Sequence, residues 1–331
     1  MSCEVAIRGT GPAALYCALT LAPETRVCLQ ADQNAPLETG VLWPGLTEHW
    51  GLLKCNLGAP QTEALLRLMQ RSRELLGSEK EVRRGAVLQL ASNPTEFQEM
   101  TMDLRWLDRL WPRRLMSGGA ASNYVAVNEA EGAAFVPDCL SLDETGLLQR
   151  LFIRAQSQGL RVVHQLPPAE IEINAEPQGP GLFSQQGLEF LCANVREPWN
   201  EALVGIETQR GHLHIRPHPR GWLVSGISPE GESHPQFQEL LHALAAKALL
   251  PLEGLITESA RPLHYRCSAD GLPVAGPLPG NPRRWQLGAL AGRSWSLGPA
   301  LGEQVALALL GRPAPLLEAL PSLRPGRFCS S

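Results

Sequence analysis

Gly9, Gly11 and Ala14 form the pattern G-x-G-x-x-A, directly after the apolar run Val5-Ala6-Ile7 and at the head of a helix-like segment. That spacing suits a βαβ unit that cradles the pyrophosphate of a dinucleotide, FAD or NAD. Gly9 allows the tight turn after the strand, and Gly11 has no side chain to hold the backbone off the phosphates. Ala14 lets helix and strand pack closely. Pro12 and Ala13 open the helix, whose free N–H groups and dipole favour negative charge. The plain alternative is an ordinary strand-turn-helix. A second apolar run, Val27-Cys28-Leu29, ends where an acidic residue would hold the adenine ribose. Here the position is Gln30, followed by Ala31 and by Asp32, which shares a strand face with residue 30.

A second pattern lies near the other end. Asp270-Gly271-Leu272-Pro273-Val274-Ala275-Gly276 precedes a strand, and Gly292-Arg293-Ser294-Trp295-Ser296-Leu297-Gly298-Pro299-Ala300 leads into a helix. The periodicities between these motifs predict helices over 61–76, 103–110, 142–158, 236–249 and 299–310, the last opened by the Gly-Pro pair. They predict strands over 82–90, 160–164, 170–174, 188–193 and 285–291, with a hairpin pairing 211–216 with 222–227. Residues 132–137 read as a break in the pattern. The near-continuous apolar run 188–193 reads as a strand buried in a parallel sheet.

The fold class expected is mixed α/β, a nucleotide-binding domain assembled from discontinuous pieces with a second mixed sheet inserted. Residues 1–76, 136–195 and 262–331 make the first domain, and 77–135 with 196–261 the second.

Composition narrows the partners. The net charge is -4, with no basic run or aromatic-basic interleaving, so nucleic acid is not expected. No uninterrupted apolar stretch of about 18 residues suggests a membrane span, and the N-terminus lacks a signal-peptide pattern. The eight cysteines are scattered without a C-x-x-C pair, which argues against a disulfide framework or a zinc site. Cytoplasm is the default. His212, His214 and His218 invite a metal reading, but no matched carboxylate or cysteine accompanies them, and no metal is expected.

Residues 261–311 carry a resemblance. An Arg-containing segment, a D-G-x-P-x-x-G turn, a strand and a G-x-x-x-x-G-x-x-x-A loop resemble the end of the FAD-dependent amino-acid and amine oxidase family. Gly85 to Leu90 resembles the family's G-x-L-x-L strand with one extra residue, and Arg210-Gly211 its R-G-x hairpin. The resemblance covers nearly the whole chain. Three departures stand out: Gln30 replaces the ribose acid, Ala193-Asn194 replaces Ala-x-Gly, and Arg266 lies one residue closer to Asp270 than the family's arginine.

The resemblance implies FAD, with the flavin between the segment 40–45, which includes Gly40, Val41 and Leu42, and the C-terminal loop of Gly292, Arg293, Ser294, Trp295, Ser296 and Leu297. It implies hydride transfer from a C–N bond of a small amine or amino acid to flavin N5, an imine product, and reoxidation by dioxygen or another acceptor. A helix start at 298–301 would turn a positive dipole toward the flavin edge that becomes negative on reduction. A carboxylate substrate needs a guanidinium clamp, for which Arg266 comes first, with Arg210 and Arg261 behind it. Tyr265 would face the pocket, Trp43 and Trp295 would flank it, and Lys54 would serve oxygen chemistry, against the plainer reading of a solvated lysine. Two rivals remain: a flavin-dependent monooxygenase, and a degenerate flavin-binding protein acting as a non-catalytic partner.

Overall fold

The computed structural model describes residues 3–30, 41–42, 57–107, 113–125, 130–193, 202–208, 213–218, 221–227 and 257–328, with isolated helical positions between 236 and 243. The expected helix over 236–249 lies mostly outside the described residues.

A six-stranded sheet forms the first layer. β1 (Cys3–Arg8) runs parallel to β2 (Val27–Gln30) on one side and to β8 (Ala169–Asn174) on the other. β7 (Arg161–Val163) extends it beyond β2, and β15 (Asn281–Gly288) beyond β8, both in parallel. β14 (Val274–Leu278) closes the edge antiparallel to β15. Alternation along β1 and β2 points Val5, Ile7, Val27 and Leu29 into the main core. Against that face pack α1 (Pro12–Leu21), α2 (Ala59–Leu76), α5 (Glu144–Ser157) and α6 (Ser294–Leu309). α1 has no polar stripe: every residue but Thr20 is buried, as suits a helix held between a sheet and a second helix.

The second layer is a nine-stranded sheet, ordered β13-β9-β12-β11-β10-β4-β6-β3 with β5 (Arg114–Ser117) paired to β6. Its strands are β3 (Val41–Leu42), β4 (Val82–Ala91), β6 (Gly132–Leu142), β9 (Leu182–Ala193), β10 (Leu203–Thr208), β11 (Leu213–His218), β12 (Gly221–Ile227) and β13 (Thr257–Ser268). All pairs are antiparallel except β4 with β10. One face is apolar, built from Leu88, Leu90, Phe190, Cys192, Ile206, Leu213, Ile215, Trp222 and Val224. α3 (Pro94–Leu107) and the short α4 (Gly118–Ala121) connect the strands at one end.

The elements depart from the sequence expectation at definable points. The expected break at 132–137 is instead the start of β6, an eleven-residue strand; its ladder with β4 carries Pro137 at a register shift, where no ladder donor is needed. α3 begins at Pro94, nine residues before the expected start, because Pro is tolerated in a first turn. β15 spans 281–288 rather than 285–291. β9 is not in a parallel sheet at all: it lies antiparallel between β12 and β13. Its apolar run is interrupted by Glu189, which faces away from Leu188 and Phe190. Among the described residues, no helix is long and apolar enough to cross a membrane.

Candidate functional site

The glycine loop follows β1 directly. Gly9 has φ +109°, a left-handed value that a side chain would strain, and its N–H donates to the Gln30 carbonyl at 3.2 Å. Gly11 stands at the head of α1 with no side-chain cap, and a Cβ there would meet only open space. The first-turn N–H groups of α1 are therefore available to an anion.

α6 crosses α1 at very short range. A Cβ on Gly302 would stand 2.2 Å from the Ala13 carbonyl oxygen, and one on Gly298 would stand 3.0 Å from the Ala13 nitrogen. The two glycines lock together the helices that head both motifs. α6 begins at Ser294, not at Pro299, which lies inside the helix. Burial of Trp295, Leu297, Ala300 and Leu301 outweighs the one intrahelical hydrogen bond that Pro299 cannot donate. The positive end of the helix dipole is thus at 294–297 rather than 298–301.

The loop before α6 holds an unusual backbone. Ala289, Ala291 and Gly292 have φ of 54°, 50° and 79°. Left-handed alanines cost energy and persist where the surroundings enforce them; here the Ala291 N–H donates to the Arg266 carbonyl at 3.0 Å. Tyr265, 2% exposed, lays its ring against Gly292, 3.4 Å from where a Cβ would be.

Arg293 follows at the helix head and is buried. Its Nη1 donates to the Gly271 carbonyl at 3.3 Å, while Nη2 is buried without a partner. Burial pulls its pKa down to about 10. Asp270, in the turn Gly271 belongs to, is gripped by Arg327 through Nε at 2.6 Å and Nη2 at 3.1 Å. Partial burial pushes the Asp270 carboxyl up, but hydrogen bonds from Arg327, the Leu272 N–H and Ser268 outweigh it and hold it below the usual carboxylate range.

Several motif residues are placed differently from one another. Strand alternation turns Arg266 to the face opposite Tyr265, where it hydrogen-bonds Ser184. Gln30 donates its side-chain amide to the His164 carbonyl at 3.0 Å. The strand beside β1 that ends at the glycine loop is β8, with Ala175 donating to the Arg8 carbonyl at 2.8 Å; Ala193 closes β9 in the other sheet. A Glu176 carboxylate oxygen stands 3.3 Å from the Cβ position of Gly9. Val41 and Leu42 pair with Leu140 and Ser141 at the sheet edge. Ala31, Asp32, Gly40, Trp43, Lys54, Arg210 and His212 lie outside the described residues.

The sequence reading overlooked a polar row across the second sheet. Cross-strand register sets Arg261 opposite Glu189, Glu189 opposite Ser225, Ser225 opposite His214, and His214 opposite Glu207, with Gln89 next. This face looks toward α5 and α6. Arg261 Nη2 meets Glu189 at 2.6 Å, and Arg216 Nη2 meets the same carboxylate at 3.2 Å. Arg216 Nη1 donates to the Leu142 carbonyl just before α5 at 3.2 Å. Glu144, in the first turn of α5, accepts from the Trp295 indole at 3.2 Å. At the other end, Glu207 accepts from Gln89 at 2.6 Å, and Gln89 in turn accepts from Arg113 at 3.1 Å. Burial pushes the Glu207 carboxyl up to about 7, against the opposing pull of Gln89 and Arg113. The signal that could have exposed the row is alternation: Glu189, Glu207 and His214 each follow a core residue inside an apolar strand.

Comparison with known proteins agrees with the architecture. No family model matches the chain. Glycine oxidase from Geobacillus kaustophilus superposes with a TM-score of 0.77 at 16% identity, over 98% of each chain. L-Proline dehydrogenase from P. horikoshii superposes with a TM-score of 0.74 at 15% identity, over 98% of this chain and 97% of that one. The chain has the fold of these amino-acid oxidases and dehydrogenases. A local match, 48% identical over 65 residues, is to the bifunctional protein MnmC of tRNA 5-methylaminomethyl-2-thiouridine biosynthesis from Caulobacter sp. strain K31. It spans 19% of this chain and 11% of that relative.

Two uncapped helix heads, an open approach at Gly11 and the buried, unpartnered Nη2 of Arg293 fit an anionic dinucleotide cofactor.

Proposed function

We propose that this protein binds FAD and oxidises the C–N bond of an amino acid or secondary amine. Arg293 carries the reading: a buried cation at a helix head, with its Nη2 unpartnered, in a loop whose backbone is enforced by its surroundings. A buried donor of that kind is stabilised when an acceptor meets it. The first-turn N–H groups of α1, approached over Gly9 and Gly11, would hold the pyrophosphate. Arg293 and the first turn of α6 would hold the ring edge that gains negative charge. FAD, when bound, accepts the hydride from the carbon beside the amine nitrogen, and dioxygen or another acceptor restores it. The protein's part is then orientation and electrostatics. Tyr265 walls the site beside Gly292, and the polar row faces it from the second sheet.

A second reading concerns the substrate. Arg261 and Arg216 are both committed to Glu189, and Arg266 bonds Ser184 on the far face. Among the described residues these three arginines are engaged, which suits an amine without a carboxylate for them to clamp. The local relative bears 5-methylaminomethyl-2-thiouridine in its name, and a methylaminomethyl group is a secondary amine of that kind.

The test is to purify the protein, supply FAD, and follow flavin absorbance near ~450 nm under anaerobic conditions. The panel is glycine, L-proline, N-methylglycine and the nucleoside 5-methylaminomethyl-2-thiouridine. At least one should bleach the flavin, and the nucleoside alone doing so would select the second reading. Arg293→Ala should weaken FAD retention by about 10- to 100-fold, the worth of a charged hydrogen bond. Protein that cannot be loaded with FAD would overturn the proposal. NAD(P)H consumption without amine would favour a monooxygenase.

A further inference from the structure

Resting on that reading of the reaction, the geometry points to His214 as the group that takes the ammonium proton of the substrate, with Glu207 as its positioning partner. Amines of this class are cations near neutral pH, and only the neutral amine can give up a hydride from its α-carbon. One N–H bond of the ammonium breaks, its electron pair stays on nitrogen, and the proton forms an N–H bond on the imidazole.

Three observations carry the assignment. His214 sits at the middle of the polar row, flanked by Ser225 and Glu207 in direct register. It is half-buried, while Glu189, Ser225, Glu207 and Gln89 on either side are buried, so His214 is where the centre of the row meets accessible space. It also shares a face with Arg216, two residues on, whose bond to Leu142 shows that this face turns toward the head of α5, where Glu144 in turn accepts from Trp295 of α6.

Side chains directly opposite in an antiparallel pair have Cβ atoms about 5 Å apart. The Glu207 and His214 positions are thus neighbours on one face, and the Glu207 carboxyl is fixed by Gln89. The charged and titratable groups around Glu207 are His214 on β11, Arg113 ahead of β5, and Cys139 on β6. A carboxyl that ionises near neutrality is poised to support an imidazolium at the pH where the amine must be deprotonated. The histidine pattern that first suggested a metal has this simpler use, since the neighbours of His214 along the row are a serine and a carboxyl.

The experiment has two arms. In the amine-free, FAD-loaded protein, NMR of ¹⁵N-histidine-labelled samples identifies His214 by its loss in His214→Gln. Glu207→Gln should lower the His214 titration midpoint, by less than the loss of a full adjacent charge would, because Glu207 ionises only near pH 7. In the second arm, anaerobic flavin reduction by N-methylglycine, or by the panel member that bleaches faster, is followed from about pH 6 to pH 10. His214→Gln should slow reduction by about 10²- to 10⁴-fold near pH 7 and recover toward wild type at high pH, where the amine is already neutral. Glu207→Gln should shift the acid limb to lower pH without abolishing it. A pH-independent loss in His214→Gln, or an unmoved His214 midpoint in Glu207→Gln, overturns this inference while leaving the reaction standing. No bleaching by any amine overturns the reaction itself, whatever the titration shows.

Discussion

Glu207 shows how one buried carboxyl can tie stability to pH. In the unfolded chain it releases its proton near the usual 4.5, whereas in the fold it holds the proton to about 7. Between those values the unfolded chain has lost a proton that the folded one retains, so stability falls as pH rises through the window and then levels off. The size of the shift corresponds to about 3 kcal/mol. Glu207→Gln should remove that slope: melting curves of wild type and variant between pH 5 and pH 8 should diverge in favour of the variant as pH rises. Parallel curves would show that Glu207 is ionised throughout. Asp270 has the opposite sense, since its carboxyl is held below the usual range by Arg327 and its turn; its contribution is present at neutral pH and is lost as pH falls.

At the level of elements, the site depends on how closely α1 and α6 approach. Both helices are buried almost all round, and the approach is made possible by Gly298 and Gly302 against Ala13. A methyl at Gly302 has no room, because the neighbour it meets is backbone at 2.2 Å. Gly302→Ala should therefore destabilise the fold by about 1–3 kcal/mol, the cost of overpacking a close-packed interior. It should also weaken FAD retention, since the crossing sets the heads of both helices. Denaturant unfolding and a cofactor-release assay read the two effects, and an unchanged midpoint would mean the helices can separate freely. Gly311, at φ +67° with open space around it, offers a control on which the site does not depend.

Across the whole molecule, polar contacts bind strands of the second sheet to one another and tie that sheet to the head of α5, where Arg261 stands 3.9 Å from Glu144. Glu189 on β9 binds Arg216 on β11 and Arg261 on β13, and Glu144 connects to Trp295 at the head of α6. Removing Glu189 would leave Arg216 buried beside a second arginine without their shared anion. Glu189→Ala should cost about 3–5 kcal/mol, the range for breaking a buried pair, toward the lower end because Arg261 is 38% exposed on its side chain and can turn to solvent. Chemical denaturation should show the loss. A change under about 1 kcal/mol would mean that solvent satisfies both arginines. On the opposite flank, Arg71 grips Glu303 with 2.7 Å and 2.9 Å bonds, tying α2 to α6 behind the site.

Local chemistry made much of this legible from residues alone. Gly9 and Gly11 announce their turn because few other residues tolerate it, β1 and β2 follow from short apolar runs beside it, and β11 and β12 from a hairpin pattern over a short span. Asp270-Gly271 likewise marks a turn whose hydrogen bonds are local. The start of α6 falls five residues before the expected opening at Pro299, because Pro is favoured in a first turn and only long-range burial of Trp295 and Leu297 carries the helix back across it. The sheet to which β9 belongs, the turning of Arg266 away from Tyr265, and the row from Glu189 to Gln89 depend on register between strands far apart in sequence, such as Gln89 with Glu207, 118 residues on. Pairing of that kind leaves no mark at either position. It is decided by which faces bury together, and that is a property of the folded chain.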